Sequence, residues 1–350
     1  MPVKRVLSAA AILVGVVCGA FFVWTRLPLA AAPSTPDPAL VLFNAHQGPD
    51  ATKLAESYFE HNDHRLHYVQ AGEEKSELIV FIHGFPSFWY SFSRQLAAFV
   101  ADYHVVAIDG LGAGRSDAPL SPEPYSLENM SAHLQALLDK LGKERAHLIG
   151  HDWGAALALG FAQRYPDRVL SVTGISAPPQ NVLLDTLSTQ ADQAATFDYI
   201  ETLKRANPIL LMALGFRERI WRGAYAPLVA EGALSESEGE LFREATGDPK
   251  RINTHINWYR ANVPAPDNIE PDSYWPAKAA RIATPMLFIW GQEDGLISPQ
   301  LVHQIERVAD DPELLPIADV GHWPHIQRPD AVNEAIRTLL SSTSVQALQQ

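Results

Sequence analysis

Cysteine is all but missing from this chain: Cys18 is the single one in 350 residues. One thiol cannot form an intramolecular disulfide, so the fold rests on its core and is indifferent to the redox state of its compartment. Basic charge is also scarce. Lys and Arg number 27 against 40 Asp and Glu, a net charge of −13, which leaves no electrostatic footprint for nucleic acid. Cys and His do not cluster at metal-ligand spacing, so no metal is expected. Glycines do gather at 109–117, but no third glycine follows Gly112 by three residues and no helix is expected to start there. A dinucleotide site is therefore not implied, and a tight structural loop is. No internal repeat is apparent.

A long uncharged run occurs once in the chain, at the start. Lys4 and Arg5 precede nineteen residues without a formal charge, 6–24, and Arg26 follows. At about 1.5 Å per residue, such a helix spans a bilayer core of about 30 Å. Signal peptides have shorter apolar cores, of about 7–15 residues. The expectation is an uncleaved membrane anchor with the remaining chain on the non-cytoplasmic side, as the basic pair dictates. Ala30-Ala31-Ala32 offers a small-residue cleavage site, so export after cleavage is the alternative. Residues 1–40 read as anchor or signal plus a Pro- and Ala-rich linker.

What remains is 47% hydrophobic over the whole chain, enough for a sizeable core. Strands are expected at 58–61 and 66–71 with a turn at Asn62-Asp63, then at 78–82, 103–108, 147–149 and 169–177. Helical spacing of apolar residues marks 88–100, 126–141 and the alanine-rich run after Gly154. From 180 to 275 the periodicities are helical only, at 191–205, 209–221, 236–244 and 249–262. Strands return at 286–290 and 314–320, with helices near 299–309 and 330–341. Strands alternating with helices imply a mostly parallel sheet covered on both faces. The expected α/β core occupies 41–179 and 276–350, and an all-helical segment, 180–275, is inserted between the two parts.

Chemistry centres on Gly150-His151-Asp152-Trp153-Gly154. A short apolar run leads in and a helix leads out, the spacing of a nucleophile elbow with aspartate where serine usually stands. The turn strains its central residue and leaves no room for side chains two positions either side. Alone, such a pattern arises by chance in roughly one chain in ten. Two later motifs strengthen it. One strand leads into Gly291-Gln292-Glu293-Asp294, the last into Gly321-His322-Trp323-Pro324-His325. Nucleophile, acid and histidine in that order at three strand ends form the order of an α/β-hydrolase triad. Asp294 competes with Glu293, and His322 with His325; Asp294 and His322 are the expected members. His83 reads as a structural loop residue.

With His83-Gly84-Phe85-Pro86 and Gly112-Ala113-Gly114-Arg115-Ser116-Asp117, these motifs make residues 55–342 resemble the epoxide hydrolase branch of the α/β-hydrolases. The resemblance implies a helical cap whose two tyrosines hold the epoxide oxygen. Tyr259, in Asn257-Trp258-Tyr259-Arg260, matches the second. Tyr199, after Phe197-Asp198, matches the first less closely, and Tyr225 is the fallback.

Aspartate narrows the chemistry. A carboxylate attacking a carbonyl gives a labile anhydride, whereas attack on a strained carbon gives an ester that a second step must hydrolyse. The expected site is Asp152 as nucleophile, His322 as base oriented by Asp294, and the N–H groups of Phe85 and Trp153 as oxyanion hole. Its reactants are an apolar epoxide and water, without metal or organic cofactor. A haloalkane dehalogenase shares the aspartate and needs a second halide donor, for which Trp221, Trp258 or Trp275 could serve. A non-catalytic binding protein on the same shell is the remaining alternative.

Overall fold

The computed structural model describes residue 29 and residues 35–190 and 194–347. Two antiparallel strands, β1 (Ala55–His61) and β2 (His64–Ala71), open its sheet. Asn62 and Asp63 between them have φ of 50° and 62°, as a two-residue hairpin turn demands. Six strands then run parallel: β3 (Leu78–Ile82), β4 (His104–Ile108), β5 (Ala146–His151), β6 (Val169–Ile175), β7 (Met286–Gly291) and β8 (Glu313–Ile317). Every residue of β3, β4 and β5 is buried, because helices cover both faces of a parallel sheet. The order is β1-β2-β4-β3-β5-β6-β7-β8. Successive crossovers leave β3 in opposite directions, so the carboxyl ends of β3 and β5 meet at the switch point of the sheet.

Helix α1 (Pro38–His46) is capped by Asp37, whose other carboxylate oxygen accepts from the Trp89 indole at 2.8 Å. This helix corrects the end of the linker expected within residues 1–40, since residues 38–40 are already helical. The core helices are α2 (Ser93–Phe99), α3 (Leu127–Lys140), capped by Ser126, and α4 (Trp153–Arg164).

Between β6 and β7 the described residues contain no named strand. Helices α5 (Gln180–Thr189), α6 (Tyr199–Lys204), α7 (Pro208–Ala213), α8 (Phe216–Ile220), α9 (Glu236–Ala245), α10 (Pro249–His255) and α11 (Asn257–Asn262) follow in turn, with a further short helix, Ala226–Ala230, between α8 and α9. Helix α5 was not expected. The helix expected over 209–221 breaks at Gly215, which has φ +60°, and that over 249–262 is α10 and α11 meeting at Ile256. The glycine loop at 109–117 seats these helices. Trp258 donates its indole N–H to the Leu111 carbonyl at 2.8 Å, and Arg251 reaches the Ser116 carbonyl at 3.0 Å. A Cβ on Gly110 would overlap the Trp258 ring. Glu238, in the capping box of α9, accepts both guanidinium nitrogens of Arg94 at 2.7 and 3.0 Å.

Helices α12 (Pro299–Arg307) and α13 (Pro329–Ala347) complete the core. Among the described residues no helix is long and apolar enough to cross a membrane. Residues 6–24, expected to form an anchor, lie outside the described residues.

Candidate active site

Asp152 sits between β5 and α4 with φ 52° and ψ −124°. A non-glycine residue held there costs on the order of 1–3 kcal/mol, and packing must impose it. Here the packing is backbone against backbone. A Cβ on Gly150 would overlap the Gly154 carbonyl, one on Gly154 the Ile82 carbonyl, and one on Gly84 the Asp152 side chain. The result aims the carboxylate at the end of β3, where Oδ1 accepts the Phe85 N–H at 2.7 Å. Trp153 begins α4, so its N–H belongs to the first helical turn, which has no intrahelical acceptor.

Asp152 Oδ2 faces His322 Nε2 at 3.7 Å, and His322 Nδ1 lies 2.9 Å from Asp294 Oδ2. Burial works against the charged imidazole, but the hydrogen bonds and charges of Asp152 and Asp294 outweigh it and raise His322 to about 10. The two open choices separate physically. Asp294 is buried on His322, while Glu293 is exposed. His325 is buried with neither ring nitrogen bonded, and burial together with the charge of His322 lowers it to about 3. His151 donates to the His322 carbonyl at 2.8 Å and steadies the loop that carries the histidine. His83 is held by its neighbours: Nδ1 donates to the Gly84 carbonyl at 2.8 Å and Nε2 accepts from Gly110 N–H at 3.1 Å.

Opposite the carboxylate stand Tyr199 on α6 and Tyr259 on α11, their rings edge to face with centroids 6.2 Å apart. The Trp153 ring packs edge-on against Tyr259, with centroids 5.0 Å apart. Burial, the partner tyrosine and the Asp152 charge hold Tyr259 well above the ordinary phenol range; burial and Asp152 do the same for Tyr199. Both therefore remain protonated donors. Tyr225 is placed elsewhere, fully buried, with its hydroxyl on the Pro86 carbonyl. Between tyrosines and carboxylate lies a cavity lined by Asp152, Trp153, Ala156, Ser176, Ala177, Pro178, Leu183, Phe197, Tyr199, Ile200, Tyr259, Leu296 and Ile297. Its wall is largely apolar. Trp221, Trp258 and Trp275 do not line it; Trp258 is committed to Leu111, and Trp221 lies under Arg243.

Arg260 is the residue whose part the motif did not reveal. Its guanidinium donates to the Lys204 carbonyl, the last of α6, at 3.0 Å and to the Ala206 carbonyl just past it at 2.7 Å. It also donates to the Asn253 carbonyl and the Asn257 side chain, at 2.7 and 2.6 Å. One side chain thus ties the helix of Tyr199 to the helix of Tyr259. The cavity residues Leu183, Leu296 and Ile297 also escaped the sequence reading, since an apolar residue facing a cavity looks like any core residue. Among the described residues no group of three or more His, Cys, Asp or Glu could hold a metal ion.

Comparison with known proteins places this geometry in context. The alpha/beta hydrolase fold family matches residues 77–212. Epoxide hydrolase 3 of Xenopus tropicalis is 31% identical over 327 residues, covering 90% of this chain and 85% of the relative. Epoxide hydrolase 4 of Mus musculus is 31% identical over 282 residues, covering 79% and 76%. Among solved structures, epoxide hydrolase A from Mycobacterium thermoresistibile is similar, at 30% identity and a TM-score of 0.69, covering 83% of this chain and 98% of that one.

Proposed function

This chain belongs to the epoxide hydrolase family of α/β-hydrolases, and from that premise we propose that it adds water to an apolar epoxide to give a vicinal diol. The observation that carries the reading is the Asp152 carboxylate. One oxygen is held by the Phe85 N–H and the other faces His322, across a cavity from the paired rings of Tyr199 and Tyr259.

In the first step Asp152 Oδ2 attacks a ring carbon. The carbon–oxygen bond breaks toward the ring oxygen, which takes a proton from the tyrosine pair. In the second step His322 Nε2 removes a proton from water, and the water oxygen attacks Cγ of the Asp152 ester. The oxyanion develops on Oδ1, already on the Phe85 N–H, with Trp153 N–H as second donor. Collapse breaks the Cγ–Oδ2 bond, and the leaving alkoxide takes the proton held by His322. The second water proton, left on the new carboxyl oxygen, returns to the tyrosine pair, so the diol departs and the carboxylate is restored. The charges also keep time. Ester formation removes the Asp152 charge, one of the two that hold a proton on His322. The imidazole then becomes a freer base when the ester needs water.

The reaction is tested by incubating the purified chain with an aryl epoxide and, separately, a chloroalkane. Diol without halide is expected; halide release without diol would sink the proposal. The uncharged run 6–24 after Lys4 and Arg5 supports membrane attachment with the hydrolase on the non-cytoplasmic side. A topology reporter fused after Gln350 should respond outside the cytoplasm, and a cytoplasmic signal would refute that orientation.

A further inference from the structure

We propose that residues 208–214 of the helical insertion dock onto an anionic phospholipid bilayer beside the substrate cavity. Helix α7 buries Pro208 and Leu211 and turns its other apolar side chains outward. Ile209, Leu210, Met212 and Leu214 are 46%, 39%, 48% and 48% exposed. Scattered exposed apolar residues are ordinary, but four within six residues form a patch that marks an interaction surface.

Charge selects the occupant. In a chain of net charge −13, the exposed residues Arg205, Arg217 and Arg219 flank this patch. None of the three has an ion-pair partner among the described residues. Arg219 donates to the Leu214 carbonyl at 3.1 Å, which brings its guanidinium to the base of the patch. An apolar tip with a basic collar matches the boundary between acyl chains and phosphate headgroups.

The path of the chain supports the same occupant. Helix α7 packs on α10, and Asp37 shares a crevice with Asp248 and Arg251 at the start of α10. The described chain therefore enters on the helix that supports the patch. From residue 35 back to residue 24 the intervening residues reach at most about 40 Å when extended. The uncharged run 6–24 is thus tethered close enough for run and patch to meet one bilayer. Helix α6, which carries Tyr199 and Ile200 of the cavity wall, ends at Lys204, with three residues between it and Pro208. Lipid docking would bring the cavity to a phase in which apolar epoxides concentrate. That last link rests on the epoxide reading; the docking itself does not.

The test uses the full chain, with Cys18→Ala removing the native thiol, in vesicles of phosphatidylcholine with phosphatidylglycerol. An environment-sensitive fluorophore is attached at Met212→Cys or, as control, at Thr338→Cys on α13. Nitroxide-labelled phospholipid should quench the Met212 probe and leave the Thr338 probe bright. A Met212 probe that the lipid nitroxide does not quench overturns the proposal. An emission shifted to the blue yet unquenched does so too, since residues 1–34 or a second copy would then cover the patch. In the second arm, Ile209, Leu210, Met212 and Leu214 are all replaced by Ser. Hydrolysis of a long-chain epoxide dissolved in the vesicles should fall about tenfold, with a small water-soluble epoxide hydrolysed as before. Equal rates on the vesicle-borne epoxide would overturn the proposal. Quenching in a protein that hydrolyses no epoxide would leave the docking standing and remove the catalytic reading.

Discussion

Phe85 donates its backbone N–H to Asp152 Oδ1 at 2.7 Å. That bond assigns the two carboxylate oxygens different work before any substrate arrives. Oδ1 occupies the place where an oxyanion would need support, and Oδ2 is left for carbon. Replacing Asp152 with Ala should leave the circular dichroism spectrum unchanged and lower diol formation by about 10⁴ or more. Diol production near the wild-type rate would remove Asp152 from the chemistry.

The tyrosine pair should act at ring opening alone. Tyr259→Phe is expected to slow formation of the Asp152 ester by about 10²-fold, and the double variant with Tyr199→Phe by up to about 10⁴, in the range of general-acid assistance. Stopped-flow tryptophan fluorescence under single-turnover conditions reads this step, since Trp153 adjoins the nucleophile. An unchanged ester-forming rate in the double variant would exclude the pair from the reaction.

Arg260 should act through geometry. Arg260→Ala removes donors that join α6 to α11, and at about 1 kcal/mol for each net hydrogen bond lost a destabilisation of about 2–4 kcal/mol is expected. Ester formation should slow while hydrolysis of the ester, once formed, keeps its rate. Arg260→Lys should recover part of the stability and little of the rate, because an ammonium cannot span both helix ends. Equal slowing of both steps would point to general damage.

His322 gives a pH signature. An imidazole raised in the folded state contributes stability that is complete below its unfolded pKa of about 6.5 and is lost as pH rises through the folded value. For His322 that value is about 10. The melting temperature of wild type should therefore exceed that of His322→Gln most at pH 6, and the gap should close toward pH 10. A gap that widens with pH would contradict the charge arrangement described for the triad.

Much of this site is legible in sequence because each key residue follows an apolar run. Asp152, Asp294 and His322 come after β5, β7 and β8, and parallel strands deliver their ends to one edge. Elsewhere the signal is absent for physical reasons. Residues 180–184 of α5 are all buried, the polar Gln180 and Asn181 included, so polarity does not mark the solvent face of the helix there. The helix break at Gly215 depends on a positive φ that only its surroundings select. Helix α1 is recognisable through Asp37 and Trp89, 52 residues apart. Nothing in the sequence separates Ile209, Leu210, Met212 and Leu214 from core residues, and only the folded chain shows them exposed.

Isotope placement in a single turnover tests the covalent route most directly. Excess enzyme is mixed with epoxide in ¹⁸O-labelled water, and both the diol and the peptide carrying Asp152 are weighed by mass spectrometry. If Asp152 attacks carbon and water attacks the ester, the diol takes its new oxygen from the carboxylate and emerges unlabelled. The label then appears on Asp152. A diol labelled in that first turnover, with Asp152 unlabelled, would mean that water opens the ring itself and that no ester forms.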